Sequence, residues 1–155
     1  MELPFHPGVS APDATEGDPA TRVLIADDAE TTRALLTDLF AFENLRVVGH
    51  AGDGAEAIER ACALEPDVVL MDLHMPRVDG VAASAAILEL CPRTQIVVLT
   101  SHPEDQVRRT LLEAGVFAYL NKGDPWPEIC DTIRRAGEFK RNLDRDRPTL
   151  REVTP

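Results

Sequence analysis

Residues 67–73 read DVVLMDL, and the four apolar residues Val68–Met71 lie between two aspartates. Residues 23–26 (VLIA) and 96–99 (IVVL) are apolar runs of the same kind. Short runs rich in Val and Ile are typical of β-strands, and the lack of polar–apolar alternation indicates that both faces of each strand are buried. These runs therefore predict interior strands of a parallel sheet that helices cover on both sides.

Two further apolar runs continue this pattern along the chain. The five predicted strands are Val23–Ala26, Val47–Ala51, Val68–Met71, Ile96–Leu99 and Phe117–Leu120. An apolar stripe at helical spacing follows each strand, such as Val107, Leu111 and Ala114 after the fourth. The β–α unit thus occurs five times, which predicts one α/β domain with an open parallel sheet and right-handed crossovers.

Residue types at the predicted helix ends support these assignments. Asp53, with Glu56 three residues later, resembles a capping box at the start of the second helix. Gly115 follows the fourth helix, where a left-handed residue is favoured. Lys140 and Arg141 near the end of the last helix would complement its dipole.

Length and charge limit the number of domains and the kinds of partner. The 155 residues fit one domain at 22–141, with a flexible acidic N-terminal tail at 1–21 and a short C-terminal tail at 142–155. The formal net charge is −11, and no segment carries a basic stripe. We therefore expect this chain alone to bind neither nucleic acid nor a membrane.

Cysteine usage and hydropathy bear on the cellular compartment. Cys62, Cys91 and Cys130 lie far apart in sequence, are odd in number and form no CxxC motif. A disulfide framework or a zinc site is therefore not expected. The N-terminus lacks the features of a signal peptide, and no apolar run is long enough to span a bilayer. Together these features predict a protein of the reducing cytoplasm.

Charged and hydroxyl side chains follow four of the predicted strands. Asp27 and Asp28 end the first strand, Asp72 ends the third, Thr100 ends the fourth, and Lys122 follows the fifth. Any one of these residues alone could be a helix cap or a solvated surface charge. Because ligands of open α/β sheets bind outside the carboxyl ends of the strands, the convergence of all of them indicates a functional site.

The chemistry of this set suits phosphoryl transfer. Three crowded carboxylates repel one another, and a hard divalent cation such as Mg²⁺ or Mn²⁺ relieves the repulsion. Phosphoryl transfer needs an in-line nucleophile, a metal ion and positive charge near the phosphoryl oxygens. A carboxylate can serve as the nucleophile. Lys122 would supply a point charge, and Thr100 a hydroxyl donor.

Four segments give the chain a resemblance to a known family. They are RVLIADD (22–28), DVVLMDLHMPRVDG (67–80), IVVLTSH (96–102) and AGVFAYLNK (114–122). They resemble the receiver domain of bacterial response regulators, in the CheY-like superfamily, over residues 22–141. The resemblance implies a flavodoxin-like (βα)5 doubly wound fold with strand order 2-1-3-4-5. It also implies a two-component signalling phosphoprotein, not an enzyme, whose phosphoryl donor is a histidine kinase or a histidine phosphotransfer protein.

The resemblance further implies a role for each acidic residue. Asp72 would be the phosphoacceptor and a Mg²⁺ ligand. Asp28 would bind the ion directly and Asp27 through water. The backbone carbonyl of His74 would complete the protein ligands.

Roles in binding the phosphoryl group and in switching follow from the same resemblance. Thr100 would hydrogen-bond one phosphoryl oxygen, and Lys122 would pair with another. Tyr119 corresponds to the aromatic residue that turns inward as Thr100 moves. That movement would signal phosphorylation to the surface formed by the fourth helix and the fifth strand. Tyr119 could equally be a half-buried strand aromatic with a solvated hydroxyl.

The chain departs from the family pattern at two places. Gly123 follows Lys122, where many receivers have proline. His74 and His102 stand two residues after Asp72 and Thr100, at positions that influence phosphoryl lifetime in the family. Their imidazoles are either functionally idle or tune dephosphorylation by their protonation near neutral pH.

Other phosphate- and cofactor-binding families fit the sequence less well. A cobalamin module would need glycine where Arg77 stands. A haloacid-dehalogenase-like phosphatase would need a second aspartate where His74 stands. A flavodoxin would need a phosphate-binding loop after the first strand, but residues 27–31 are acidic and lack glycine.

The output of the receiver is left open between two possibilities. Residues 142–155 are charged and too short for a helix-turn-helix, so a stand-alone receiver is the favoured expectation, and a homodimer is possible. However, residues 47–59 (VVGHAGDGAEAIE) are similar to those of receivers that precede a LuxR-type helix-turn-helix, as in LuxR- and NarL-type regulators. The alternative is therefore the N-terminal part of a DNA-binding regulator.

Overall fold

The computed structural model describes residues 19–146 of the chain. Most of the predicted N-terminal tail (residues 1–18) and the last nine residues of the predicted C-terminal tail (147–155) lie outside the described residues. None of the described helices is both long enough and apolar enough to cross a membrane.

Five strands alternate with five helices in the described part of the chain. The strands are β1 (Thr21–Ala26), β2 (Leu45–Ala51), β3 (Val68–Met71), β4 (Gln95–Thr100) and β5 (Ala118–Asn121). The helices are α1 (Glu30–Ala41), α2 (Gly54–Leu64), α3 (Gly80–Leu90), α4 (Asp105–Ala114) and α5 (Trp126–Arg145). The strands form one parallel sheet in the order β2-β1-β3-β4-β5, which confirms the predicted flavodoxin-like topology.

The three interior strands are buried on both faces, as their apolar runs predicted, whereas the edge strands β2 and β5 are mostly half-buried. Alternate residues of β3 enter different cores, because Val69 and Met71 pack with α2, α3 and α4, whereas Val68 and Leu70 pack with α1 and α5. All four side chains are at most 2% exposed. Successive residues of a strand point to opposite faces, so a strand between two helical layers has no polar position.

Strand ends are less accurately predicted than strand centres. β1 and β2 each begin two residues earlier than expected, because Thr21 and Leu45 already pair in the parallel ladder. β5 begins one residue later than expected, at Ala118, although the amide of Phe117 still donates to the carbonyl of Ile96. Backbone pairing therefore extends beyond the apolar run that marks each strand.

The predicted helix caps are mostly present. The Asp53 carboxylate accepts a hydrogen bond from the amide of Glu56 at 2.8 Å. The capping box is incomplete, since the Glu56 carboxylate accepts from the amide of Gly52 and not from that of Asp53. Gly115 ends α4 in the left-handed conformation with φ 116°, as predicted.

The prediction that Lys140 and Arg141 lie at the end of α5 and complement its dipole is wrong, because α5 runs on to Arg145. Instead, both side chains contact the buried Asp67 carboxylate that precedes β3, at 3.4 and 3.6 Å. The helix thus continues four residues past the expected domain boundary at residue 141. These contacts fasten α5 to the amino end of the sheet.

Candidate functional site

Three carboxylates meet at the carboxyl edge of the sheet. β1 and β3 are neighbours in which Ala26 pairs with Met71, so Asp27 and Asp72 emerge side by side one residue later. The amide of Asp72 still donates to the carbonyl of Ala26 at 2.9 Å, which continues the ladder to the site itself. One carboxylate oxygen from each of Asp27, Asp28 and Asp72 lies within 4.8 Å of the others. The cluster is thus set by strand register.

The three carboxylates differ in their existing partners. In Asp27, Oδ1 accepts from the amide of Ala29 at 2.8 Å and Oδ2 accepts from Lys122. In Asp72, Oδ1 accepts from the amide of His74 at 3.2 Å. Asp28 is exposed and makes no side-chain hydrogen bond or ion pair within residues 19–146. Asp28 is therefore the carboxylate most available to a ligand.

Lys122 brings a positive charge into this cluster. The amide of Lys122 donates to the carbonyl of Thr100 at 2.9 Å, just beyond the pairing of β4 with β5. This contact directs the side chain over the edge, where Nζ lies 2.9 Å from Asp27 and 3.5 Å from Asp72. Burial alone would lower the pKa of Lys122, but the two carboxylates outweigh it and the pKa is raised. The ammonium group therefore stays charged.

The Asp72 carboxyl lies where a negative charge is disfavoured. Its residue is 8% exposed, and burial raises its pKa, although the His74 amide and the Lys122 ammonium act in the opposite direction. The nearby charge of Asp27 adds to the increase. A hard divalent cation fits this environment, because the donors are all carboxylate oxygens and their mutual repulsion would be relieved.

An open groove of about 530 Å³ gives access to the cluster. Its walls are Asp28, Asp72, His74, Ser101, His102 and Glu104. The rings of His74 and His102 meet edge to face with centroids 5.6 Å apart, so they stand together at one side of the opening. The structure thus brings together the two histidines that the sequence singled out.

Thr100 lies deeper than the other predicted site residues. Its side chain is fully buried at the end of β4 and is not part of the groove wall. Its hydroxyl accepts a hydrogen bond from the amide of His102 at 3.3 Å. This bond leaves the hydroxyl proton free to be donated elsewhere.

Tyr119 points inward in this structure. The residue is 9% exposed, and its hydroxyl accepts a hydrogen bond from the amide of Glu104 at 3.2 Å. Glu104 is the N-cap of α4, so Tyr119 is joined to the start of that helix. A second groove of about 410 Å³ lies between α3 and α4, and Tyr119, His74 and His102 are among the residues that line it. A backbone amide therefore holds the hydroxyl in this conformation, and the switch role of Tyr119 stays a prediction.

Sequence reasoning missed several residues that support the site. The Arg77 guanidinium pairs with the Asp53 carboxylate and joins the β3–α3 loop to the start of α2. Arg77 has φ 66°, an unusual conformation for a residue with a side chain, and no motif points to it. Glu104 could have been predicted from the sequence, because it lies in the loop that follows Thr100 at the end of β4. The side chain of Arg33 in α1 donates to the carbonyl of Asp27, and no sequence motif indicates this contact.

Comparisons with known proteins agree on one family. The response regulator receiver domain family matches residues 23–134. The transcriptional regulatory protein LiaR of Bacillus subtilis is 40% identical over 124 residues, covering 79% of this chain and 59% of LiaR. The chain therefore spans less than two thirds of that relative.

Solved structures show the same likeness. The response regulator domain of Thermotoga maritima CheB is 32% identical with a TM-score of 0.68, covering 77% of this chain and 97% of that domain. The receiver domain of the response regulator NarL from Mycobacterium tuberculosis is 31% identical with a TM-score of 0.67, covering 76% of this chain and 96% of that one.

Proposed function

The chain belongs to the response regulator receiver domain family, and on this premise we propose that Asp72 accepts a phosphoryl group from a histidine kinase or a histidine phosphotransfer protein. The observation that carries the proposal is the position of the Lys122 ammonium. It lies 2.9 Å from Asp27 and 3.5 Å from Asp72, beside the three clustered carboxylates. In this proposal the chain is a cytoplasmic signalling domain that reacts only on itself.

In the proposed reaction, Oδ2 of Asp72 attacks the phosphorus of a phosphohistidine in line with its P–N bond. The P–O bond forms as the P–N bond breaks, and the departing imidazole nitrogen takes a proton from solvent. Oδ2 is assigned as the nucleophile because Oδ1 already accepts from the amide of His74. The Lys122 ammonium, 3.5 Å from Oδ2, is placed to pair with a transferred phosphoryl oxygen.

A Mg²⁺ ion held by Asp27, Asp28, Asp72 and the backbone carbonyl of His74 would neutralise the carboxylate and phosphoryl charges, and Mn²⁺ suits the same oxygen donors. Asp28 would bind directly, because it is exposed and makes no other polar side-chain contact within the described residues. Asp27 would act through water, since Lys122 and a backbone amide already occupy its two oxygens.

Thr100 and Tyr119 would pass the signal to the surface. The Thr100 hydroxyl would turn from the amide of His102 and donate to the phosphoryl group, which moves the β4–α4 loop. Tyr119 would follow, because its hydroxyl is bonded to the amide of Glu104 in that loop. The switched surface would comprise α4 and β5.

The target of that surface is a separate proposal. LiaR is named as a transcriptional regulatory protein, and this chain matches 59% of its length. A second candidate function is therefore a receiver that controls DNA binding by another segment or partner. A gel-shift comparison of the phosphorylated and unphosphorylated protein, in the presence of its partner, separates this from binding to a non-DNA target.

Intact-mass measurement with a small phosphodonor tests the proposed function. The wild type, incubated with acetyl phosphate and Mg²⁺, is expected to gain one phosphoryl group. Asp72→Asn should gain none, and Asp131→Asn, a control on the exposed face of α5, should behave like the wild type. A folded wild-type protein that gains nothing would contradict the proposal.

A further inference from the structure

Two cysteines that lie far apart in the sequence are in contact at the surface. Cys62 lies in the last part of α2, and Cys91 is the residue that ends α3. Their Sγ atoms are 3.3 Å apart, although 29 positions separate them in the chain. The packing of α2 against α3 brings the pair together, which their separation in sequence did not indicate.

The surroundings of the pair allow a bond to form. A disulfide needs its sulfurs at about 2.05 Å, so the two atoms must approach by little more than 1 Å. Cys91 lies just beyond the helical residues of α3, with φ −131° and ψ 67°. Cys62 is exposed, and both residues line an open groove of about 620 Å³. A small oxidant can therefore reach them.

The two thiols differ in exposure, since Cys62 is exposed and Cys91 is partly buried. Burial, followed by the contact with Cys62, raises the pKa of Cys91 to about 11. Cys91 thus keeps its proton and can donate it to the neighbouring sulfur. The exposed Cys62 is the thiol that meets an oxidant first. Exposure beside a second thiol is typical of cysteines that respond to oxidation.

We propose that Cys62 and Cys91 are a modification site at which a peroxide forms an intramolecular disulfide. The Cys62 thiolate attacks one oxygen of H₂O₂ and becomes a sulfenic acid, while the other oxygen leaves as hydroxide and takes the proton that Cys62 had lost. The Cys91 sulfur then attacks the Cys62 sulfur, and the sulfenic oxygen leaves as a second water with the Cys91 proton. Two thiols are thereby oxidised, and one peroxide is reduced to two waters.

The bond would close a loop around the strand that carries the acidic site. Residues 62–91 include β3 and Asp72, so the disulfide would tie together α2 and α3, the helices that precede and follow them in the chain. A loop of this length is expected to raise the melting temperature by about 5–10 °C, mainly by restricting the unfolded chain. In a reducing compartment the bond would be transient and would report oxidative conditions.

The test is a thiol map of the full chain after oxidation. The reduced protein is treated with H₂O₂, denatured, alkylated with N-ethylmaleimide and analysed by non-reducing peptide mass spectrometry. The expected product is a Cys62–Cys91 peptide pair in monomeric protein, with only Cys130 alkylated. Cys130 is buried, and burial raises its pKa to about 11, so Cys130→Ser should form the same link.

Single variants and melting curves complete the test. Cys62→Ser should form no link, and its melting temperature should not respond to peroxide. The wild type should gain about 5–10 °C and lose this gain on addition of dithiothreitol. Alkylation of both Cys62 and Cys91 after peroxide treatment, or a disulfide only between two copies of the chain, would overturn the proposal. Neither the thiol map nor the melting temperature depends on phosphorylation. The disulfide proposal can therefore fail while the proposed function stands, and the reverse.

Discussion

The ammonium group of Lys122 donates a hydrogen bond of 2.9 Å to Oδ2 of Asp27, although 95 positions separate the two residues. The contact joins the end of β5 to the end of β1 across the carboxyl edge of the sheet. It places one positive charge against a cluster of three carboxylates. In the proposed function, a metal ion would compete with Lys122 for the carboxylates, and a phosphoryl group would compete with the carboxylates for Lys122.

Replacing Lys122 is expected to separate metal binding from phosphoryl acceptance. Lys122→Met keeps most of the apolar stem and removes the charge, so Asp27 and Asp72 are no longer partly neutralised. We predict that Mg²⁺ binds about threefold to tenfold more tightly, because like charges no longer oppose each other. The rate of Asp72 phosphorylation should fall at least about tenfold. Calorimetry and mass-based kinetics measure the two quantities.

Lys122→Arg is the matched control for that experiment. It retains the charge on a longer, planar group, so its Mg²⁺ affinity should stay near that of the wild type. Weaker Mg²⁺ binding in Lys122→Met than in the wild type would show that the ammonium does not compete with the ion.

Asp72→Asn is expected to stabilise the metal-free protein. Because the folded-state pKa of Asp72 is raised, mainly by burial, ionisation of this residue opposes folding. The penalty is absent below the unfolded-state pKa of about 3.9 and complete above the folded-state pKa. The melting temperature of Asp72→Asn should therefore exceed that of the wild type by a few degrees at pH 7. The difference should vanish as the pH falls to about 3.9, as thermal melts across this range would measure.

The close approach of α3 to β3 should make Gly80 intolerant of a side chain. A Cβ atom at Gly80 would collide with the carbonyl oxygen of Asp72, which is backbone and cannot move away cheaply. We predict that Gly80→Ala costs more than about 2 kcal/mol in unfolding free energy and slows phosphorylation. Gly123→Ala is the control, since its nearest neighbour would be the Asn121 side chain at 3.4 Å. Equal denaturant midpoints for the two variants would contradict this account of the packing.

Asp53 has two separable roles at the start of α2. Its carboxylate accepts from the amide of Glu56 and pairs with Arg77. Asp53→Asn keeps the cap and loses the ion pair, whereas Asp53→Ala loses both. We expect Asp53→Ala to lower the melting temperature by about 5 °C at pH 7, and Asp53→Asn by less than half of that.

The pH dependence of these variants follows from the sign of the pKa shift. The Glu56 amide and then the Arg77 guanidinium hold the pKa of Asp53 below its usual value. The stability that this residue contributes is therefore present above the unfolded-state pKa and is lost as the pH falls through the folded-state pKa. The difference in melting temperature between the wild type and Asp53→Asn should therefore become smaller as the pH falls. A gap that stays constant from pH 7 to about pH 3 would refute the ion-pair contribution.

The topology could be predicted because burial on both faces leaves a clear trace in the sequence. An interior strand such as β3 needs four consecutive apolar residues. Three such runs and two less uniform ones, separated by helical stripes, permit few arrangements. Strand and helix ends were less predictable. α5 continues to Arg145, and its Lys140 and Arg141 pair with Asp67 instead of complementing the helix end. Such long-range ion pairs have no local signature in the sequence.

In the candidate site, too, the positions of residues were predictable and their individual contacts were not. The meeting of Asp27, Asp28 and Asp72 was predictable, since carboxyl ends of parallel strands share one edge. Which carboxylate Lys122 contacts depends on side-chain direction, which spacing does not reveal. The same holds for Cys62 and Cys91, whose contact arises from the packing of two helices on one face of the sheet.

The most direct test of the central claim is to locate the phosphoryl group on the chain. After phosphorylation in the presence of Mg²⁺, reduction with borohydride converts an aspartyl phosphate to homoserine, which peptide mass spectrometry detects at a single residue. We predict homoserine at Asp72 alone, and none when Mg²⁺ is chelated beforehand. Homoserine at Asp27 or Asp28, or a phosphoryl group on a histidine or hydroxyl side chain, would contradict the account.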